Sequence, residues 1–222
     1  MSALPGLMMP PGLITIGGSP PVVIGTNSNG VGNVASIAIA LPGDVEEGDL
    51  LLILAAGQIT NARTFTPPAG FTPLFNQAGP GNLRFFCAAW KEADGSEEGS
   101  VTGTVDSNTR MTAQSYRIGN WQGEPEASAV ATGTSDVPNP PSLTPSWGDA
   151  PALWLAVGAT NPASIQDPPD DYTNLLSQDD TGGPFVSLFS ARRVLKAGTE
   201  NPGSFSVAQT SVAAATIAIR GR

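Results

Sequence analysis

The sequence contains no histidine, a single cysteine, and only 10 basic residues against 19 acidic ones. Without an imidazole, no Ser-His-Asp or Cys-His nucleophile can be assembled. The lone thiol, Cys87, closes no internal disulfide and cannot supply a zinc site, which needs several Cys or His ligands. It lies in an apolar stretch and reads as a small buried hydrophobe. A formal charge of −9 offers no basic footprint for nucleic-acid phosphates, and an anionic membrane surface would repel it. No apolar run reaches the roughly 18 residues of a membrane span. The N-terminus is apolar but lacks basic residues and is broken by Pro5, Pro10 and Pro11. No secretory signal is read there, and folding in a cytoplasm is expected.

Glycine and proline are plentiful, at 26 and 21 residues of 222. Pro costs about 3 kcal/mol and Gly about 1 kcal/mol in a helix interior, so long helices have little room. Apolar stretches are short and bounded by turn residues, the pattern of strands. Strands are expected at residues 22–26, 34–41, 50–56, 71–75, 83–90, 100–105 and 111–118, with Asn27-Ser28-Asn29-Gly30 as a turn. The second half continues at 127–132, 152–159, 172–176, 185–195, 204–207 and 212–219. Residues 50–56 are apolar on both faces, as a fully buried strand requires. The Ala-rich stretch 212–219 could form a short helix by propensity; the repeat described next favours a strand.

Pro67-Pro68-Ala69-Gly70-Phe71-Thr72-Pro73-Leu74 matches Pro168-Pro169-Asp170-Asp171-Tyr172-Thr173-Asn174-Leu175. Residues 50–55 match 152–157, residues 93–100 match 197–204, and residues 115–118 match 216–219, in the same order and at a spacing of roughly one hundred residues. The spacing changes only where loop residues cluster. The expected fold is therefore all-β: two tandem duplicated β-sandwich, jelly-roll-like domains after an extended arm. The boundaries are 1–19 for the arm, 20–121 for the first repeat and 122–222 for the second. The alternative is one fused sandwich whose sheets exchange strands between halves. In the motif, the prolines stiffen the entrance and the aromatic, Phe71 or Tyr172, plugs the sandwich end.

The arm carries Leu4, Leu7, Met8, Met9, Leu13, Ile14 and Ile16 among prolines and glycines. It cannot pack as a helix, yet it is too apolar to prefer solvent. It either folds back on its own domain or lies on a neighbouring subunit; the seven apolar residues are the candidate partner-binding set. No catalytic residue, cofactor site or metal site is expected. The acidic loops Asp44, Glu46, Glu47, Asp49 and Asp167, Asp170, Asp171, Asp179, Asp180 lack a recognised calcium spacing and read as solvated. Trp90 and Trp154 sit in apolar strands and read as core. Trp121 and Trp147 lie beside turns and are candidates for a carbohydrate platform or for packing at an interface.

The succession Gly48-Asp49-Leu50-Leu51-Leu52, Pro68-Ala69-Gly70-Phe71-Thr72-Pro73-Leu74, Ala88-Ala89-Trp90-Lys91-Glu92-Ala93 and Ser115-Tyr116-Arg117-Ile118 resembles virion proteins of tailed bacteriophages and prophages. In the second copy, Pro140-Pro141-Ser142-Leu143-Thr144-Pro145-Ser146-Trp147 leading into Leu153-Trp154-Leu155 resembles the same group. The resemblance implies a head decoration or cement protein, a head fibre or a tail component. The expected function is a non-enzymatic capsid decoration protein that binds and stabilises the outer head lattice of a virion assembled in the host cytoplasm. Its expected partners are the major capsid protein or another virion protein and copies of itself, as trimers, without nucleic acid or membrane. The alternative is a tail or fibre adhesin that binds host carbohydrate. Asp170-Asp171 departs from Ala69-Gly70, so the second motif loop need not make the same contact.

Overall fold

The computed structural model describes residues 18–58, 61–161, 167–181, 183, 185–206 and 210–222. The first half forms β1 (Val22–Ala40), β2 (Leu50–Gly57), β3 (Phe65–Thr66), β4 (Thr72–Ala78), β5 (Phe85–Glu92) and β6 (Ser100–Gly119), with one 3₁₀ turn at Pro80–Asn82. The second half forms β7 (Glu126–Ala127), β8 (Ala131–Asp136), β9 (Ala150–Thr160), β10 (Thr173–Asp179), β11 (Ser187–Ala197) and β12 (Thr210–Arg220). The Ala-rich stretch is a strand, not a helix, because it pairs along its length with β9.

Each half makes one six-stranded antiparallel sheet. The first has the order β1-β6-β2-β5-β4, with β3 on β6; the second has β7-β12-β9-β11-β10, with β8 on β12. The orders correspond strand for strand, with β7 and β8 together in the place of β1. The molecule is all-β, two β-sandwich units built on one repeated plan. Among the described residues no strand crosses between the sheets.

Side-chain alternation then gives every central strand two buried faces. Leu50, Leu52, Leu54 and Ala56 of β2 point inward, against Leu153, Leu155, Val157 and Ala159 of β9 and Ile217 and Ile219 of β12, in a cluster both sheets share. Leu51, Ile53 and Ala55 point outward, beneath Ile37, Ile39, Phe65 and Phe71. Ala152, Trp154 and Ala156 point outward on the other side, beneath Leu143, Tyr172 and Phe205. Residues 50–56 are accordingly inaccessible throughout. Phe71 and Tyr172 close the outer clusters, as the motif predicts.

The outer cover of the first unit corrects one expectation. The Asn27–Gly30 run is no turn: it pairs with residues 112–115 of β6 inside a continuous strand. The bend falls later, at the register shifts between Val31 and Ser36. There the β1–β6 ribbon folds over, so that Asn29 Nδ2 donates to Ala38 O at 2.9 Å and Ser115 Oγ to Ala40 O at 2.6 Å. The polar run is tolerated because its amides satisfy the ladder and its side chains tie the fold-over together.

The units also meet backbone to backbone. A Cβ on Gly81 would stand 2.0 Å from Val212 O, and one on Gly30 would stand 2.1 Å from Asp179 O. Only glycine permits either approach.

Candidate functional site

The seven apolar arm residues, Leu4, Leu7, Met8, Met9, Leu13, Ile14 and Ile16, lie outside the described residues. What is described is the place where the chain enters the body. Asn120 Nδ2 donates to Ser19 O at 3.0 Å and to Pro20 O at 2.8 Å. Gly18 packs on the Arg222 carbonyl, and Gly221 on Ser19. The chain therefore enters beside the end of β12 and the join between the units, where Trp121 bridges to Gly221.

Trp121 and Trp147 are not brought together. Trp121 is 6% exposed in the inner cluster, with its ring edge-on to Trp90 at 5.8 Å and Nε1 donating to Gly48 O at 2.8 Å. It offers no open ring face to a sugar, a correction to the platform expectation, because Trp90 and the shared inner cluster cover the ring that its turn context left open. Its place is in the packing between the units. Trp147 is half-buried against the outer cluster of the second unit, and its Nε1 finds no acceptor there among the described residues. Trp154 is buried in that same cluster, and Trp90 packs against the inner one.

Several carboxylates of the acidic loops are structural ties. Asp49 accepts from Arg117 Nε at 2.5 Å and from the Glu46 amide at 2.9 Å. Asp180, its side chain fully buried, accepts from Arg110 at 3.2 Å and from the amides of Phe185 and Val186. Asp171 meets Arg193 at 3.3 Å, and Arg193 also meets Glu200 at 3.1 Å. Among the described residues no group of three or more His, Cys, Asp or Glu could hold a metal. Cys87 is buried, and burial pushes its thiol up to about 12, far from the thiolate a nucleophile needs.

The polar constellation that the sequence reading missed runs between the sheets. Ser190 Oγ donates to Gln114 Oε1 at 2.5 Å; Gln114 Nε2 donates to the carbonyls of Leu176 and Leu188, each at 3.0 Å. With its one proton committed to Gln114, Ser190 accepts from the Tyr116 hydroxyl at 2.5 Å. Thr112 Oγ1 donates to Gln178 O at 3.0 Å, and Ser28 Oγ to Gln178 Oε1 at 2.9 Å. Burial raises the Tyr116 phenol to about 12, against a lowering from its Ser190 hydrogen bond. The signal in the sequence is the alternation of Thr112, Gln114 and Tyr116 on one face of a strand that pairs with the wholly apolar β2. The seam ties the two sheets together through side chains of both.

Open clefts mark the surface of the described residues. One of about 380 Å³ is lined by Thr132, Asn139 and Val212, and one of about 540 Å³ by Asp167, Asp170, Tyr172 and Ser206. Two more, of about 360 Å³ and 270 Å³, lie beside the chain's entrance. Comparison of the chain with family models, with curated proteins and with solved structures gives no match.

Proposed function

We propose that the chain is a non-enzymatic structural protein of a tailed-phage virion, a decoration or cement protein that binds the outer head lattice and stabilises it. The observation that carries the reading is the pairing of a body closed on three apolar clusters with a leader of a different character. Residues 1–19 bear eight large apolar side chains, Met1 and the seven named above, and no charged side chain. What further supports it is the likeness of the Gly48–Leu52, Pro68–Leu74 and Ala88–Ala93 stretches to phage virion proteins, and a polar network devoted to holding two sheets together.

The mechanism is surface burial. Each arm side chain covered by a neighbouring chain contributes on the order of 1.5–3 kcal/mol before ordering costs. Repetition around a symmetry axis, in trimers, multiplies weak contacts into a firm grip. The major capsid protein is the partner, and the rigid double-sheet body bridges adjacent capsomers. Electron microscopy of the intact particle tests the reading: density of this fold should recur over the head lattice. Its absence from the particle, or a place at the tail tip alone, would overturn it.

A further inference from the structure

The two units fill one corresponding place differently. Trp90 of β5 and Val194 of β11 each stand three residues before the matched alanines Ala93 and Ala197. Each faces a leucine of the inner cluster across its ladder, Trp90 opposite Leu52 and Val194 opposite Leu153. In the first unit the indole packs on that cluster, with Trp121 edge-on to it at 5.8 Å. In the second unit the smaller valine is 55% exposed, although it shares a face of β11 with the buried Leu188 and Ser190. A cleft of about 360 Å³ opens there, lined by Val22, Val23, Leu153 and Val194 together with Asn174 and Arg192. Val22 is 54% exposed. The place that two tryptophans close in one unit is an open apolar mouth in the other, and covering it removes apolar surface from water.

The chain's own leader departs from this mouth. Pro20 and Pro21 belong to its lining, and Gly18 stands in the neighbouring cleft with Pro151, two residues along β9 from Leu153. Traced back from Val22, the chain is therefore leaving the mouth when it reaches Gly18. To return, it would have to run beside residues 20–23. One of two successive strand residues turns its N–H to such a neighbour, and neither Pro20 nor Pro21 has one to give. Seventeen residues, extended, span about 55 Å, more than the roughly 40 Å across a body of this length. Residues 1–17 are thus long enough to reach a second molecule. Ile14-Thr15-Ile16, next to the body, is β-branched and uncharged. No carboxylate is among the described residues that line the cleft, and Asn174 and Arg192 offer donors to backbone carbonyls.

We propose that this cleft receives the arm of a second copy of the chain. Residues 13–16 lie extended across Val22 and Val194, and one of their apolar side chains takes the place that Trp90 fills in the first unit. Every copy then gives an arm and receives one, so the assembly closes as an exchanged pair or a ring. Leu4, Leu7, Met8 and Met9 stay free for another surface. The inference goes beyond the virion reading and does not rest on it, because the contact needs no lattice.

The test is self-association of the full-length protein, followed by light scattering and sedimentation across a concentration series. The full chain should form a discrete oligomer. Deletion of residues 1–17 should raise its dissociation constant at least tenfold, and so should Val194→Glu, at an exposed position that leaves the fold intact by circular dichroism. Val34→Glu, the same change at an exposed valine outside the cleft, should alter it less than twofold. The deleted chain keeps a cleft and the Val194→Glu chain keeps an arm, so the two should pair one to one when mixed, although neither associates alone. A full chain that stays monomeric, an oligomer indifferent to Val194→Glu, or a mixture that does not pair would overturn the proposal. Each of these outcomes leaves the lattice reading to its own measurement on the particle.

Discussion

Gln114 of the first unit and Ser190 of the second are hydrogen-bonded at 2.5 Å within the shared core, and the Gln114 amide spans on to the carbonyls of Leu176 and Leu188. Both residues are inaccessible to solvent. A buried polar group left unpaired costs about 1–3 kcal/mol. Gln114→Leu takes away the acceptor of Ser190 and the amide that meets the carbonyls of Leu176 and Leu188, and should lower stability by about 2–4 kcal/mol. Tyr116→Phe removes only the outermost donor and should cost about 1 kcal/mol. Urea unfolding of both variants checks the order, with the midpoint falling and the slope unchanged.

The shared cluster makes each half dependent on the other. Residues 122–222 expressed alone would expose Leu153, Leu155, Val157, Ile217 and Ile219. That forfeits on the order of 10 kcal/mol of burial, comparable to the whole stability of a domain. The isolated half should bind a hydrophobic dye and show collapsed amide dispersion, while the full chain unfolds in one transition. Two separate transitions in calorimetry of the full chain would contradict this.

Alkali should unfold the protein through its buried acids. The Tyr116 phenol rises from the usual 10 to about 12, and the Cys87 thiol from 9 to about 12, both by burial. A raised folded value means the neutral form is favoured in the native state. The stability from these groups is complete below pH 9 and is lost as pH rises from there through 12. Tyr116→Phe should make the fall above pH 10 shallower, and Cys87 should react with a thiol reagent only as fast as the chain opens.

The ring of Phe189 covers Gly158 so closely that a Cβ there would stand 2.4 Å from it, and Phe205 pins the ring at 4.7 Å. In the first unit Gly57 lies under Phe85 in the same way, with Phe65 stacked behind it at 4.6 Å. Gly158→Ala should cost about 1–3 kcal/mol by overpacking, read as a lowered melting temperature.

How far the sequence could be read depended on the range of the interaction. Leu50 to Ala56 betrayed its two buried faces because alternation is local. The repeat betrayed the common strand order because both copies kept their turn residues in place. Asn27–Gly30 misled, since whether an Asn-Gly run turns or pairs is decided by β6, some eighty positions later in the chain. Trp121 misled in the same manner: its ring is covered by Trp90, some thirty positions earlier, and by the inner cluster. Asp171 and Gly70 both adopt left-handed backbone, with φ of 64° and 82°, so the departure noted in the motif preserves the turn and adds the contact to Arg193. Gln114 and Ser190 acquire their meaning only from what surrounds them, which no spacing announces.

The assembly role is tested most directly by comparing the full-length protein with a variant lacking residues 1–19, each added back to particles stripped of the protein. Co-sedimentation should show the full chain bound in many copies per head and the truncated body, folded by its circular dichroism, at least tenfold weaker. Equal retention of the two would contradict the account.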